Sequence, residues 1–248
     1  MENRYLFCDI HSHILPGMDD GCRTAEESVR LLRSSYDQGI HMICATPHYY
    51  PVESVSDFLV RRDGSLQELY KVLERETLPA PKLCLGAEVA YRPGLCHQED
   101  LNKLCIGKSQ YLLLEMPFYK WGEEVIRTVR GISNVHGITP IIAHIERYLP
   151  MQDKEVLDRL LDQEILVQMN AARLLHFSSR GQARRLLKKG TVQLLGSDCH
   201  NNTSRPQNLG RAVEYLEKRG MEDVLEEISH YSRRIFREAT DEKKAKEF

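Results

Sequence analysis

The amino-acid sequence predicts an α/β barrel of parallel strands with a polar site at its C-terminal mouth. Three observations carry that expectation. Apolar runs of strand length recur along the 248 residues. Patterns of helical periodicity stand between most of them, and such alternation implies parallel strands joined by right-handed crossovers. Nearly every apolar run ends in His, Glu or Asp. A doubly wound open sheet would instead gather its polar residues at one switch point.

The first strand is Tyr5-Leu6-Phe7-Cys8-Asp9-Ile10, followed directly by His11-Ser12-His13. Residues two apart in an extended chain point to the same side, so both imidazoles can grip one ion. Thr24-Ala25-Glu26-Glu27 reads as a capping box; Val29, Leu31, Leu32 and Tyr36 supply the apolar face, and Gly39 ends the helix. The second strand, Ile43-Cys44-Ala45-Thr46-Pro47-His48, ends in His48. A helix from Leu59 to Glu76 closes at Pro79-Ala80-Pro81. The third strand runs from Leu83 to Glu88 and the fourth from Tyr111 to Glu115. A helix from Glu123 to His136 precedes the fifth strand, Pro140-Ile141-Ile142-Ala143-His144. Asp153 to Glu164 is helical, and the sixth strand, Ile165 to Asn170, is the one that ends in Asn. Ser179 to Lys189 is a helix stopped by Gly190. The seventh strand, from Gln193, leads to Asp198 and His200. Helices are expected at Gln207–Lys218 and Met221–Ile228, and the charged tail Asp241–Phe248 is expected to fray or lie as a solvent-facing helix. No internal repeat, low-complexity segment or domain boundary stands out over residues 1–248, so one domain is expected.

Charge and composition exclude several classes. A net charge of −2 gives no basic surface for nucleic acid, and 42% hydrophobic residues suffice for a full core. No stretch approaches the roughly 20 apolar residues of a membrane span. Met1-Glu2-Asn3-Arg4 leads straight into the first strand, which argues against a signal peptide. The seven cysteines form no C-x-x-C pair. Cys8, Cys44, Cys84 and Cys199 lie in strand-like runs as small hydrophobes. That is the usage of a reducing cytoplasm.

A ring of His, Glu and Asp at strand ends usually serves metal-dependent hydrolysis. The motifs Asp9-Ile10-His11-Ser12-His13-Ile14-Leu15-Pro16-Gly17-Met18-Asp19-Asp20-Gly21, Ala45-Thr46-Pro47-His48, Gly86-Ala87-Glu88, Leu114-Glu115-Met116-Pro117-Phe118, Ala143-His144-Ile145-Glu146-Arg147 and Gly196-Ser197-Asp198-Cys199-His200 follow in order. Through them the chain resembles the PHP (polymerase and histidinol phosphatase) superfamily. Within it the chain is similar to the bacterial manganese-dependent protein-tyrosine phosphatases of capsule and exopolysaccharide operons. One departure is Ile145, where that subgroup usually has Pro; only a local backbone change is expected.

The resemblance implies a distorted seven-stranded (β/α)7 barrel holding three Mn ions, with Fe, Co or Zn as alternatives. It implies as ligands His11, His13, Asp20, His48, Glu88, Glu115, His144, Asp198 and His200. Glu88 would bridge two ions. His11, His13 and Asp198 would join it at the first, Glu115 and His144 at the second, and Asp20, His48 and His200 would hold the third. Asp19 is read as a supporting carboxylate. Arg147 and Arg205 are expected to clamp phosphate oxygens. The loop Phe118-Tyr119-Lys120-Trp121 is a candidate wall for an aromatic ring.

The expected reaction is then direct hydrolysis of phosphotyrosine in a protein, with a cognate bacterial tyrosine kinase as the expected substrate, without a covalent phosphoenzyme. Two other readings stand beside it: a phosphatase for a small metabolite such as histidinol phosphate, and a non-catalytic regulatory module with structural metals. Cys199 and Arg205 also match C-x5-R, the pattern of cysteine-dependent phosphatases. The segment has no glycine with which to curl its amides around phosphate, and Asp198 adjoins the thiol, so this pattern is read as coincidence. His41, His97, His136, His176 and His230 lie in helix or loop contexts and are read as ordinary residues.

Overall fold

Strands form at the apolar runs and helices fill the intervals in the computed structural model, which describes residues 6–76 and 79–240. The tail expected to fray, and the residues before Leu6, lie outside the described residues. In chain order the elements begin with β1 (Cys8–Ser12), α1 (Ala25–Asp37), β2 (Met42–Ala45), β3 (His48–Tyr49), α2 (Val55–Glu76), β4 (Lys82–Leu85) and β5 (Glu88–Ala90). They continue with β6 (Tyr111–Glu115), α3 (Glu123–His136), β7 (Thr139–Ile142), α4 (Lys154–Leu161) and β8 (Leu166–Asn170). The last are α5 (Ala172–Leu175), α6 (Arg180–Lys188), β9 (Leu194–Gly196), α7 (Leu209–Glu217) and α8 (Glu222–Ala239).

All named pairs are parallel. They run β1-β2-β4 in one sheet and β3-β5-β6-β7-β8-β9 in the other. Two predicted strands are each split. The second breaks between β2 and β3 at Thr46-Pro47, where proline lacks a ladder donor. The third breaks between β4 and β5 at Gly86-Ala87. Hydrogen bonds bridge both breaks, from Gly86 N to Ala45 O at 2.9 Å and from Glu88 N to Pro47 O at 3.0 Å. The result is an α/β fold around a curled parallel sheet. Its two ends approach each other: Ser12 bridges Cys199, His13 N donates to Cys199 O at 2.9 Å, and Asp198 N donates to His11 O at 2.9 Å.

The alternation of side chains along these strands separates two apolar clusters. The larger lies between sheet and helices and includes Ile43, Ala45, Leu112, Leu114, Ile142 and Leu195. The smaller fills the concave side: Cys8, Ile10, Cys44, Cys84, Leu113, Ile141, Ala143 and Leu194, closed by Ile235, Phe236 and Ala239 of α8. Burying Phe236 contributes on the order of 1.5–3 kcal/mol.

Helix ends fall near their predicted places. Thr24 Oγ1 accepts from Glu27 N at 3.3 Å, while the Glu27 carboxylate reaches back to Arg23 N at 2.8 Å, one residue before the donor of a closed box. Gly39 takes φ 78° just past α1. The C-terminal helix is the main difference. Its expected end at Ile228 is overrun by eleven residues to Ala239. Ser229 and Ser232 turn inward with Ile235 and Phe236, and Ser229 Oγ donates to Leu6 O at 2.8 Å. Small hydroxyls satisfied by the backbone at Leu6 and Cys8 let a polar-looking segment extend the buried face.

Candidate metal centre

The nine side chains converge at the C-terminal ends of the strands, and three backbone irregularities bring them there. The β1 register shifts between Asp9 and Ser12. Cys8 and Ile10 face the concave core, yet His11 also turns toward the mouth. His144 and Asp198 occupy left-handed conformations, φ 31° and 51°, unusual for residues with a Cβ. At His144 this turn redirects a side chain that strand alternation would send away from Ala143's face.

Glycine makes room twice. A Cβ on Gly196 would stand 2.7 Å from His11 Cβ and 2.9 Å from Gln168 Nε2. A Cβ on Gly21 would collide with the His13 carbonyl oxygen, so the loop carrying Asp19 and Asp20 folds against His13 only with glycine there.

Four atoms face one another at the centre. His11 Nε2 and His13 Nε2 are 3.2 Å apart. Glu88 Oε2 lies 3.2 and 3.1 Å from them, and Asp198 Oδ1 lies 3.5 and 3.6 Å from them. Donors about 2.1 Å from a shared tetrahedral ion stand roughly 3.4 Å apart, so the set fits a cation. The tautomers agree. His11 Nδ1 points at Gln168 Oε1 (3.2 Å) and His13 Nδ1 at Asp19 Oδ2 (2.7 Å). Each of these oxygens accepts, so each Nδ1 carries the proton and each Nε2 offers its lone pair inward.

Around this core lie the remaining residues. His144 Nε2 is 2.8 Å from Glu88 Oε1 and 3.7 Å from Glu115 Oε1. The exposed Asp20 reaches in with Oδ1, 3.2 Å from His200 Nε2 and 3.6 Å from His48 Nε2. The donor atoms group as His11, His13 and Asp198; as His13, Asp20, His48 and His200; and as His48, Glu88 and Glu115. His48 thus stands between two groups, its Nδ1 3.2 Å from Glu88 Oε2. His200 Nε2, His48 Nδ1 and His144 Nδ1 are buried without a hydrogen-bond partner.

Titration follows the same packing. Burial and the Glu88 charge push Glu115 up to about 7. Burial and His13 draw His200 down to about 4, the neutral form that ligates. Burial would lower His13, but Asp19 and Glu88 hold it up to about 10, so without an ion its Nε2 carries a proton that a bound cation would displace. Burial would raise Asp19, but the His13 hydrogen bond keeps it well below the usual carboxylate range.

Sequence reasoning missed the support. Gln168 Oε1 also accepts from His144 N at 2.7 Å, and Gln168 Nε2 donates to Asn170 Oδ1 at 3.0 Å. Asn170 Nδ2 then donates to Asp198 Oδ2 at 2.7 Å. The strand that ends in Asn therefore joins the ring through hydrogen bonds. The pairing of amide types at 168 and 170 on one strand face is the signal that was available.

Arg147 and Arg205 both reach Asp198. Arg147 Nη2 donates to Oδ2, and Arg205 Nη2 donates to Oδ1 at 2.6 Å. Ile145, at the subgroup's proline position, is buried and opens a 3-10 turn, Ile145–Arg147, that carries the arginine. The C-x5-R pattern does not form an anion loop. Cys199 is fully buried, and burial pushes its thiol well above the ordinary value. Asn201 Oδ1 takes the Thr203 and Ser204 amides at 3.0 and 2.8 Å, so they do not cradle a ligand.

The aromatic expectation needs correction at Trp121. It is 3% exposed, donates from Nε1 to Pro117 O at 2.9 Å, and packs on Tyr148 at 5.3 Å. Its indole N–H finds a partner only inside the loop, which pulls the ring into the core. Phe118 and Tyr119 remain exposed at 56% and 51%. Phe118 lies over His144, rings 6.4 Å apart and 22° from parallel. Across the site the unpredicted Tyr50, 52% exposed, stacks on His48 at 5.5 Å and 23°.

The family model for capsular polysaccharide synthesis, CpsB/CapC, matches residues 7–236. The chain belongs to the CpsB/CapC family. Tyrosine-protein phosphatase CpsB of Streptococcus pneumoniae is 29% identical to this CpsB/CapC chain over 225 residues, covering 85% of it and 90% of the pneumococcal protein. Tyrosine-protein phosphatase YwqE of Bacillus subtilis is 28% identical over 220 residues, covering 85% and 84%. A putative tyrosine-protein phosphatase, CapC of Staphylococcus aureus, is 27% identical over 228 residues, covering 90% and 87%. A solved structure from work on YwqE and CpsB, described as unique metal-dependent tyrosine phosphatases, superposes with a TM-score of 0.79 at 26% identity, over 93% of this chain and 94% of that one. Family membership bears out the resemblance drawn from the motifs.

Proposed function

We propose that this CpsB/CapC chain is a metal-dependent protein-tyrosine phosphatase that hydrolyses phosphotyrosine. Its substrate is a bacterial tyrosine kinase that governs capsule or exopolysaccharide synthesis. The observation that carries the reading is the cage of His11 Nε2, His13 Nε2, Glu88 Oε2 and Asp198 Oδ1, whose facing lone pairs call for cations. The chain's relatives, named tyrosine phosphatases, support the reaction. The proposal includes a three-ion Mn centre held by His11, His13, Asp20, His48, Glu88, Glu115, His144, Asp198 and His200. It includes a single domain over 1–248 whose split strands count as seven, closed at the β1–β9 contacts into a distorted (β/α)7 barrel. Cytoplasmic action fits seven free, buried thiols. Among the described residues no helix is long and apolar enough to cross a membrane.

When bound, the ions supply charge neutralisation for the phosphoryl oxygens and a water acidified toward neutral pH. The chain's own residues do the rest. Arg147 and Arg205, held by Asp198, present guanidinium forks at the rim to grip the phosphoryl oxygens. Gln168 and Asp19 hold the two imidazoles in the ligating tautomer. Phe118 and Tyr50 flank the opening as apolar walls for the phenyl ring. A phosphotyrosyl side chain is long enough to reach past them to the centre, whereas a phosphoseryl one is shorter by about four ring carbons.

The test compares kcat/KM on a phosphotyrosyl peptide, a phosphoseryl peptide and histidinol phosphate, with and without exhaustive chelation. Chelation is expected to abolish turnover and Mn to restore it, with the phosphotyrosyl peptide preferred. Full activity in metal-free protein would remove the metal reading. A preference for histidinol phosphate of about tenfold or more, a difference of ~1.4 kcal/mol, would replace the protein substrate by a metabolite.

A further inference from the structure

Beside the candidate metal centre, and continuous with it through Asp198, opens a cavity of about 490 Å³. Its walls come from the turn after β7, the segment after β8, and the start of α7. Three arginines line it, Arg147, Arg205 and Arg211, against the single carboxylate of Asp198. Arg147 and Arg205 are already committed to Asp198 at the inner wall. Arg211 is different. It is exposed, lies in the first turn of α7, and among the described residues has no carboxylate within ion-pair distance, although its charge acts on Glu214 one turn further on. His176, read from sequence as an ordinary loop histidine, is exposed on the same cavity. The first turn of α7 adds its amide dipoles to that wall.

The volume decides what the cavity can take. A phosphoryl group held by Arg147 and Arg205 fills a small part of it, and a space of several hundred Å³ suits a larger ligand.

We propose that Arg211 and His176 form a second anion subsite. It takes an acidic side chain of the substrate segment, a carboxylate or a further phosphoryl group, adjacent to the phosphotyrosine held at the metal centre. The subsite would make the enzyme prefer phosphotyrosines with anionic neighbours. The inference rests on the phosphotyrosine reading and narrows its substrate class.

The experiment uses the full chain loaded with Mn and four substrates. These are an aryl phosphate, a phosphotyrosyl peptide with neutral flanks, the same peptide with flanking Glu, and the same peptide with a second phosphotyrosine. The wild-type chain is expected to favour the two anionic peptides through KM. In Arg211→Ala that preference should fall by about two- to fivefold, the range for an ion pair at an exposed site, and in Arg211→Glu it should reverse. Arg211→Lys should restore part of it, which a merely structural role would not show. The larger loss, on Glu or on phosphotyrosine flanks, assigns the natural anion. No wild-type preference for either anionic peptide, or an equal loss on anionic and neutral peptides in Arg211→Ala, overturns the subsite. Failure of all three peptides while the aryl phosphate is turned over would instead sink the protein-phosphotyrosine reading itself.

Discussion

The concave side of the sheet has two halves built on the same strands. Toward the strand starts it holds Cys8, Cys44, Cys84, Leu113 and Ile141, closed by Phe236. Toward the strand ends, within a few residues, it holds five imidazoles and four carboxylates. The lower half obeys strand alternation and is stable by burial alone. The upper half departs from it, with a register shift at β1 and left-handed backbone at His144 and Asp198. Strained backbone costs of order 1–3 kcal/mol per residue, so a well-packed lower half is what allows the upper one to keep its geometry. Stability and chemistry are thus separated along the strand direction.

That separation can be broken or sharpened by substitution. Glu88→Gln has the largest expected effect, because it removes the charge facing His11, His13, His48 and His144. Aryl-phosphate turnover should drop by at least about a thousandfold, the scale of several kcal/mol of metal-supplied stabilisation, while circular dichroism is unchanged. Wild-type turnover at full metal content would detach Glu88 from the centre. Phe236→Ala acts on the other half. It should cost about 3–5 kcal/mol in urea unfolding and leave turnover per folded molecule intact. A variant that unfolds normally yet turns over slowly would show that the halves are not separable.

Gln168→Leu tests the seam between them. Loss of the hydrogen bonds to His11 and His144 should weaken metal affinity by about ten- to a hundredfold, with turnover recovered at high Mn. Metal titration reads this directly, and an unshifted curve would make Gln168 a bystander. The smallest effect belongs to Cys199→Ser, expected to keep turnover within about twofold, because a fully buried thiol is no nucleophile. In the same protein iodoacetamide at pH 8 should label the cysteines only after denaturant is added, since burial pushes Cys8 up to about 11 and Cys105 up to about 12. An inert Cys199→Ser protein with its metals in place would reopen the C-x5-R reading.

The types and order of the converging side chains were legible in the sequence. Strand-end His, Glu and Asp recur at the spacing of β/α units, and that spacing carries them to one end of the sheet whatever the local detail. Helices with plain apolar periodicity, such as α1 and α3, were legible for the same reason. What only the tertiary structure decided depends on partners remote in sequence. The last eleven residues of α8 are helical because Ser229, Ser232 and Phe236 find Leu6 O, the Cys8 amide and the concave core. Trp121 turns inward and Tyr50 outward, which composition alone cannot rank. Gln168 and Asn170 matter because β8 lies between β7 and β9, beside His144 and Asp198. Chemistry written in residue types survives the loss of geometry; hydrogen bonds between distant strands exist only once the sheet has curled.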